Sequence, residues 1–258
     1  MKIVLCVDVG NSHTVLGIYE GEKIVEHWRL TTPRIATSDE VYLRAQALIN
    51  ASSVTPDQIT HIGLASVVPS LERVWMKALN IFLKPDVEVV NEGNCLGLEI
   101  QYDNATSLGT DRIANAVALK IEGHQTAIAL DLGTATTFDI LENGIFRGGV
   151  ILPGISSSLE VLTQKAIRLP EISLEWPDNF VANNTEDAIR SGILFGFLGS
   201  LEYVLKGIHK ELGNEDIPVI ATGGWASMLG DRTAVLNKFD PFLTLKGIKA
   251  IALGTSKP

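Results

Sequence analysis

Cysteine is scarce in this 258-residue chain, which contains only Cys6 and Cys95. Two cysteines cannot build a disulfide framework, and Cys6 lies inside an apolar run typical of a buried strand, so we expect a reducing compartment. Positive charge is also in deficit, because the formal net charge is −9. Nucleic acids are bound by basic surfaces, so a nucleic-acid-binding protein is not expected, although a local site can still bind a small anion.

Long hydrophobic runs and a leader pattern are missing as well. No uninterrupted apolar stretch approaches the roughly 18 residues that span a bilayer. A single Lys2 precedes a short apolar run that meets Asp8, which is not the pattern of a signal peptide. With 46% hydrophobic residues, the chain has enough apolar side chains to form a substantial core. We therefore expect a soluble, cytoplasmic protein that does not associate with membranes.

Several familiar nucleotide and metal motifs do not occur. The chain has no G-x-x-x-x-G-K-[ST] motif, which excludes a P-loop kinase, and no G-x-G-x-x-G motif to support a dinucleotide fold. It has neither H-E-x-x-H nor C-x-x-C, and its five histidines are scattered. Of these, only His13 lies in a candidate site. The chemistry must therefore come from another pattern.

That pattern is a turn that occurs twice. "IVLCVDVGNSHTVLGIY" begins at residue 3 and "TAIALDLGTATTFD" begins at residue 126. Each ends an apolar strand on an aspartate, Asp8 or Asp131, then turns on a glycine and continues with small hydroxyl residues. Glycine lets a ligand approach the backbone, and exposed N–H and hydroxyl groups donate to phosphate oxygens. A carboxylate beside phosphates needs an intervening cation, which indicates Mg²⁺.

One such turn is also an ordinary hairpin turn. Two copies, 123 residues apart and at matching positions, favour a pair of turns that grip the phosphates of a nucleotide. The predicted strands are residues 2–9, 14–20, 23–30, 61–68, 86–90, 125–132, 136–141, 145–152 and 217–222. The predicted helices are residues 39–51, 69–83, 111–122, 156–167, 185–212 and 245–254, with "GGWASML" entering another. Three strands followed by α/β units occur twice, which predicts a duplicated α/β domain with mixed sheets. We place the N-terminal domain at 1–113 and the C-terminal domain at 114–258.

Six stretches together resemble type III pantothenate kinase, a family of the actin, sugar-kinase and heat-shock-chaperone ATPase superfamily. They are "DVGNSHT", "YDNATSLGTDR", "DLGTATTFD", "GGVILPGI", "NTEDAIRSGI" and "ATGGWA", in order from residue 8 to residue 226. The resemblance implies duplicated ribonuclease H-like domains with an actin- and sugar-kinase-like ATPase fold. It also implies ATP-dependent phosphorylation of pantothenate to 4′-phosphopantothenate, the first step of coenzyme A biosynthesis. The implied cofactors are ATP, Mg²⁺ and a monovalent cation, K⁺ or NH₄⁺, and the implied assembly is a homodimer.

The resemblance also implies roles for individual residues. It makes Asp111 the proton acceptor and Asp131 the ligand of the monovalent cation. The implied ATP-binding residues are Asp8, Val9, Gly10, Asn11, Ser12, His13, Thr14, Val15 and Thr134. The implied substrate-binding residues are Tyr102, Gly109, Thr110, Asp111, Arg112 and Thr185. Thr110 stands where the family usually has alanine, Ala105 where a proline is frequent and Leu132 where phenylalanine is more frequent, and none of these differences removes a reactive group.

Each residue also has a structural interpretation. Asp111 is a natural first-turn acid or N-cap, Arg112 fits a surface salt bridge, Tyr102 fits plain packing and Thr185 is a natural N-cap of the helix at 185–212. The apolar residues of that helix spread beyond one stripe, which predicts burial on more than one side. Two other functions stay open at this point: a small-sugar kinase of the same superfamily, and a non-enzymatic nucleotide-binding regulatory protein.

Overall fold

The computed structural model of the protein describes residues 2–165, 172–229, 232–233, 235–236 and 238–254. Its strands are β1 Ile3–Val9, β2 His13–Glu20, β3 Lys23–Thr31, β4 His61–Ser66, β5 Val87–Val89, β6 Glu99–Ile100, β7 Ala127–Leu132, β8 Ala135–Glu142, β9 Ile145–Pro153, β10 Val219–Thr222 and β11 Lys238–Phe239. Its helices are α1 Ser38–Asn50, α2 Pro69–Phe82, α3 Thr110–Ile121, α4 Ile155–Lys165, α5 Thr185–Leu212, α6 Ala226–Leu229 and α7 Leu243–Leu253. Every predicted strand and helix is present, and the short strands β6 and β11 were not predicted. The last two residues of the helix predicted at 156–167 lie outside the described residues.

Two mixed sheets repeat one strand order, which confirms the predicted duplication. The first sheet has the order β3-β2-β1-β4-β5, in which β1 is antiparallel to β2 and parallel to β4. The second sheet has the order β9-β8-β7-β10-β11, with β6 added beyond β9. In this sheet β7 is parallel to β10, so β7 occupies the place that β1 has in the first sheet.

The chain forms two compact units. The first unit comprises residues 1–125, 139–148 and 242–258, and the second comprises residues 126–138 and 149–241. The chain passes between the units inside β8 and β9. The domain boundary expected between residues 113 and 114 falls within α3, and as a division into domains it stays a prediction.

In the first unit, close helix packing positions α3, the helix that carries Asp111. Residues 112–119 of α3 are all buried, as expected for a helix that is largely apolar around its circumference. Gly247 of α7 lies against the backbone of Ala114 and leaves no room for a Cβ atom. Gly63 of β4 lies against Ile248, whose Cγ2 atom would be 2.6 Å from an added Cβ. These two glycines let α7 pack tightly between the sheet and α3.

The second unit contains the 28-residue helix α5. Its N-cap is Asn184, whose Oδ1 atom accepts a hydrogen bond from the N–H of Asp187 at 2.9 Å. The expectation that Thr185 is the cap is therefore wrong, since Thr185 is the first helical residue. Gly213 ends the helix in the left-handed conformation, at φ 68°.

The helix α5 is long and apolar enough to cross a membrane by length and composition. This finding qualifies the expectation that the chain contains no such stretch. It is weak evidence for a membrane span, because the core helix of a soluble protein has the same composition. Only 28% of its most apolar window is buried, so much of its apolar surface is exposed in the single chain.

Candidate active site

The first glycine turn links β1 to β2 in the first unit. The N–H of Gly10 donates a hydrogen bond to the carbonyl of His13 at 3.0 Å, and a Cβ at Gly10 would lie 2.9 Å from the same oxygen. Asn11 is exposed and Ser12 is half-buried, so both are near solvent. Thr14 is buried, and its hydroxyl lies 2.8 Å from the hydroxyl of Thr32. Thr14 therefore has a protein partner, and the polar groups nearest to solvent belong to Asn11 and Ser12.

His13 is exposed at the start of β2. Its Nδ1 atom lies 3.4 Å from Nη2 of Arg29. Partial burial, with a smaller contribution from the charge of Arg29, lowers the pKa of His13 below its ordinary value. A neutral imidazole is therefore favoured at this turn near neutral pH.

The start of α3 is joined to the end of β4, beside this turn. Strands β1 and β4 are parallel, and Val9 pairs with Ser66 at their carboxyl ends. The backbone N–H of Ser66 donates a hydrogen bond to the hydroxyl of Thr110 at 2.8 Å. Ligands of α/β proteins bind beyond the carboxyl ends of parallel strands. The arrangement thus brings the tetrad Gly109–Arg112 to the edge of the sheet that carries the first turn.

Asp111 is the second residue of α3, and the N-cap is Gly109, without a side-chain capping bond. The carboxylate Oδ1 of Asp111 accepts a hydrogen bond from the N–H of Arg112 at 2.7 Å. A Cβ at Gly109 would lie only 2.5 Å from that oxygen, so the absence of a side chain leaves room for the carboxylate. Burial raises the pKa of Asp111, and the hydrogen bond and charge of Arg112 oppose this shift. A carboxylate with a raised pKa is better suited to accept a proton near neutral pH than an exposed one.

Arg112 forms a buried ion pair, whereas the structural interpretation was a salt bridge at the surface. Its Nε donates to Oδ1 of Asp139 at 2.5 Å, and the two residues are 6% and 0% exposed. Burial lowers the pKa of Arg112, but the charge and hydrogen bond of Asp139 outweigh it and the pKa is raised. Its Nη2 is buried and has no hydrogen-bond partner in the part of the chain that the structure describes.

Two aromatic rings flank the Arg112 guanidinium. Its central carbon lies 6.0 Å from the ring centroid of Tyr102 and 5.6 Å from that of Phe146. Tyr102 is 39% exposed, so it borders both Arg112 and solvent. Gly148, at φ 104°, lies beside the same ring, and an added Cβ would be 3.7 Å from it. Asp139 and Phe146 were not assigned roles from the sequence, although Asp139 is the last residue of "DLGTATTFD".

The second glycine turn lies in the second unit, between β7 and β8. Asp131 stands near the end of β7, and a Cβ at Gly223 would lie 2.5 Å from its Oδ1. The carbonyl of Thr134 accepts hydrogen bonds from the N–H of Gly154 at 3.1 Å and the hydroxyl of Ser157 at 2.7 Å. The turn is therefore tied to the start of α4, an arrangement that the sequence analysis did not predict.

Thr185 lies elsewhere in the second unit. It is exposed and lines a cleft of about 600 Å³ whose other lining residues are Leu162, Ala182, Asn183, Asn184, Ala188, Ile189, Gly192 and Ile193. Neither Asp131 nor Thr134 lines this cleft. The structure thus groups the turn at Asp8–Val15 with Tyr102 and Gly109–Arg112 in the first unit, and it does not group Thr185 with the second turn.

The donor set suits a divalent cation that is shared with phosphates. Among the described residues, no cluster of three or more histidine, cysteine, aspartate or glutamate side chains is positioned to hold a metal. Mg²⁺ in nucleotide enzymes is commonly held by one or two carboxylates together with substrate phosphates. A single carboxylate at the head of each glycine turn, Asp8 and Asp131, fits that mode of binding.

Solved structures share this fold. A protein described as a "conserved putative Baf family transcriptional activator" from Campylobacter jejuni matches with a TM-score of 0.61 at 21% identity, over 96% of both chains. An inorganic polyphosphate/ATP-glucomannokinase from Arthrobacter sp. strain KM matches with a TM-score of 0.51 at 14% identity, over 98% of both chains. At these identities the likeness shows the fold alone. The class is thus an α/β protein with the actin- and sugar-kinase-like ATPase fold.

Sequence relatives narrow the class to one family. The family model for type III pantothenate kinase matches residues 4–207. A type III pantothenate kinase from Geotalea daltonii is 38% identical over 250 residues, 96% of this chain and 97% of the relative. Another from Listeria monocytogenes is 37% identical over 254 residues, 96% of each. The chain belongs to the type III pantothenate kinase family, which confirms the resemblance drawn from its motifs.

Proposed function

We propose that this protein transfers the γ-phosphoryl group of ATP to pantothenate and forms 4′-phosphopantothenate, the first step of coenzyme A biosynthesis. Membership of the family supports the reaction and both substrates. The single structural observation that carries the proposal is the Asp111 carboxylate. It has a raised pKa and stands at the start of α3, which is joined to β4 beside the first glycine turn.

Asp111 takes the role of general base. The acceptor hydroxyl of pantothenate attacks the γ-phosphorus, the bond to the leaving oxygen of ADP breaks, and the hydroxyl proton passes to Asp111. Phosphoryl transfer needs little covalent chemistry from the protein, so positioning and charge neutralisation dominate catalysis. Asp8–Val15 and Thr134 bind ATP, while Tyr102, Gly109–Arg112 and Thr185 bind pantothenate.

A divalent cation fits beside the first turn. Asp8 would hold Mg²⁺ together with the phosphates, and the bound ion would neutralise part of their charge. Within the chain, the tight turn at Gly10 presents the backbone at Asn11 and Ser12 near solvent, where donors to phosphate are needed.

We assign a monovalent cation, K⁺ or NH₄⁺, to Asp131. The support is its position at the head of the second turn, where Gly223 leaves its carboxylate room. We expect K⁺ or NH₄⁺ to raise turnover over Na⁺, and the Asp131→Ala variant to lose that response. Equal turnover of the unaltered protein in Na⁺ and in K⁺ would remove this role from Asp131.

A cytoplasmic homodimer that uses α5 is the assembly we propose. Much of the apolar surface of α5 is exposed in the single chain, and Tyr203 on it is 81% exposed. Phe180 and Val181, which precede the helix, are 72% and 90% exposed. Burial of this surface between two copies would remove apolar area from water. Sedimentation at micromolar concentration tests the assembly, and a monomer there would contradict it.

The reaction itself is tested by ADP release with ATP, Mg²⁺ and K⁺, with pantothenate compared against a panel of sugars. We expect release that depends on pantothenate and is lost in Asp111→Asn. Glu142→Gln is a suitable control, since it alters only a partly exposed pair between Glu142 and Arg147. Turnover with a sugar alone would identify a small-sugar kinase, and nucleotide binding without any turnover would favour a regulatory protein.

A further inference from the structure

We infer that Asp139 is a positioning residue of the active site, which holds the Arg112 guanidinium so that its Nη2 donates a hydrogen bond to an oxygen of the bound substrate. The inference rests on the proposed function, because it takes Arg112 to contact pantothenate or the phosphoryl group in transfer. Asp139 itself acts through Arg112 and does not touch the substrate.

The geometry leaves one end of the guanidinium without a protein acceptor. Nε of Arg112 donates to Oδ1 of Asp139, and both side chains are buried. Nη2 is also buried, yet no acceptor for it lies within the described part of the chain. A buried N–H group without a partner is costly, and nearly all such groups in folded proteins are paired. An oxygen of a bound ligand would supply the missing acceptor.

The surroundings of Arg112 restrict how its guanidinium can turn. The rings of Tyr102 and Phe146 lie 6.0 and 5.6 Å from its central carbon, while the bond to Asp139 holds Nε. Because a guanidinium is planar, a bond at one nitrogen determines the direction of the others. Asp139 therefore sets the direction in which Nη2 donates.

The duplicated fold provides an internal comparison for Asp139. Strands β2 and β8 each have eight residues and the same pattern of buried and exposed positions. The fifth residue is Gly17 in β2 and Asp139 in β8. An added Cβ at Gly17 would lie 2.8 Å from a methyl group of Leu245, so this place in the first copy is closely packed without a carboxylate. The strand does not need an acid at this position, and the acid occurs where Arg112 needs a partner.

Stability is a weak explanation for the pair. A buried ion pair usually stabilises a fold no better than apolar residues of similar size, because both charges lose their water. An orienting role explains why the charges are present at all. It also predicts that the kinetic effect of Asp139 depends on Arg112.

The experiment is a double-variant cycle with Asp139→Asn, Arg112→Gln and the two combined. Asparagine keeps an oxygen that can accept from Nε but removes the charge that holds the guanidinium. We expect Asp139→Asn to lower kcat/KM by about tenfold to a hundredfold, as misplaced groups in active sites do. The change should fall in the same parameter, kcat or KM for pantothenate, as that of Arg112→Gln. The combined variant should be no worse than Arg112→Gln alone.

Controls separate positioning from folding and from the reaction. Glu142→Gln alters an ion pair on the same strand and should leave kcat and KM within about twofold. Asp139→Glu keeps the charge but moves the carboxylate by one methylene, so a kinetic loss with an unchanged melting temperature supports the inference if Asp139→Asn folds poorly. A folded Asp139→Asn variant with a lower melting temperature and unchanged kcat and KM would overturn it, as would fully additive losses. If the unaltered protein lacks pantothenate-dependent turnover, the proposed function fails instead.

Discussion

Replacement of Asp111 by asparagine separates the catalytic role of this residue from a purely structural one. The carboxylate Oδ1 accepts a hydrogen bond from the N–H of Arg112 at 2.7 Å, and the asparagine carbonyl can accept the same bond. Gly109 leaves space for either side chain. The substitution therefore preserves shape and local hydrogen bonding while it removes the group that takes the proton.

The expected kinetic loss is large. General-base catalysis contributes about 10²–10⁴-fold to a rate, so we expect turnover of Asp111→Asn to fall by at least about a hundredfold. ATP binding should persist, since the residues assigned to its phosphates, Asp8–Val15 and Thr134, are unchanged. If Asp111 served only the helix, its replacement would cost about 0.3–1 kcal/mol of stability and leave turnover intact.

The same substitution should change stability in the opposite direction. Burial raises the pKa of Asp111 above that of an aspartate in the unfolded chain. Between those two pKa values the folded protein binds more protons than the unfolded chain, so its free energy of unfolding falls as pH rises through this window. Asparagine does not titrate and escapes this loss. We therefore expect the variant to melt at the same or a higher temperature than the unaltered protein at neutral pH, with a smaller difference at acidic pH.

Three measurements on purified protein decide between the two roles: turnover by coupled ADP release, ATP affinity by calorimetry, and melting temperature across a pH series. Near-normal turnover together with a lowered melting temperature would refute a general-base role and return Asp111 to a stabilising first-turn acid. Loss of ATP binding would point instead to a metal or folding role, and the base would have to be sought elsewhere.

Three further outcomes follow from the same region. Gly109→Ala should lower turnover because its Cβ would meet Oδ1 of Asp111, yet it should fold, since φ of −57° at Gly109 suits alanine; parallel kcat and thermal-melting measurements check this. Thr110→Ala removes the acceptor of the Ser66 N–H, so urea unfolding should show a loss of about 1–3 kcal/mol. Its KM for pantothenate should change little, because the hydroxyl already bonds to Ser66. The pH profile of kcat/KM should fall towards acid through the raised pKa of Asp111, and a profile that is flat down to the pKa of an ordinary aspartate would contradict the assignment.

Much of the fold could be predicted from local patterns. Apolar strands ending on Asp8 and Asp131 recur with the same turn chemistry, and the structure has two sheets with one strand order. Periodicity over 185–212 predicted α5 with the bounds that the structure has. These features depend on residues close in sequence, which is why composition and spacing carried them.

Other features depend on choices that propensity cannot make. Asn184 and Thr185 are both good N-cap residues and adjoin each other, so the sequence did not decide which of them caps α5. Thr14 looked like a phosphate ligand from its place in the turn, but strand pairing sets its hydroxyl against Thr32. In both cases a difference of one position or one neighbouring strand decided the outcome.

The partner of Arg112 required tertiary information. Arg112 opens a helix and Asp139 lies in the middle of a strand, with 27 residues between them in sequence. Alternation along β8 would place every second residue towards solvent, yet Asp139 is buried together with both of its neighbours. Only the packing of α3 shows that a carboxylate at this place meets a guanidinium.

The two copies of the fold share the part of the site that grips phosphate and differ in the part that handles the proton. Both have an aspartate, a glycine turn and hydroxyl residues, because the phosphates of a nucleotide offer many equivalent oxygens that two similar turns can bind. A proton has one donor and needs one acceptor, so a second base would add nothing. Accordingly, Asp111 follows β4 of the first copy, while "TGGWA" follows β10 of the second, and Asp139 faces Arg112 where the other copy has Gly17. Shared residues therefore predicted the fold and the nucleotide, and the residues that differ between the copies carry the chemistry specific to the acceptor.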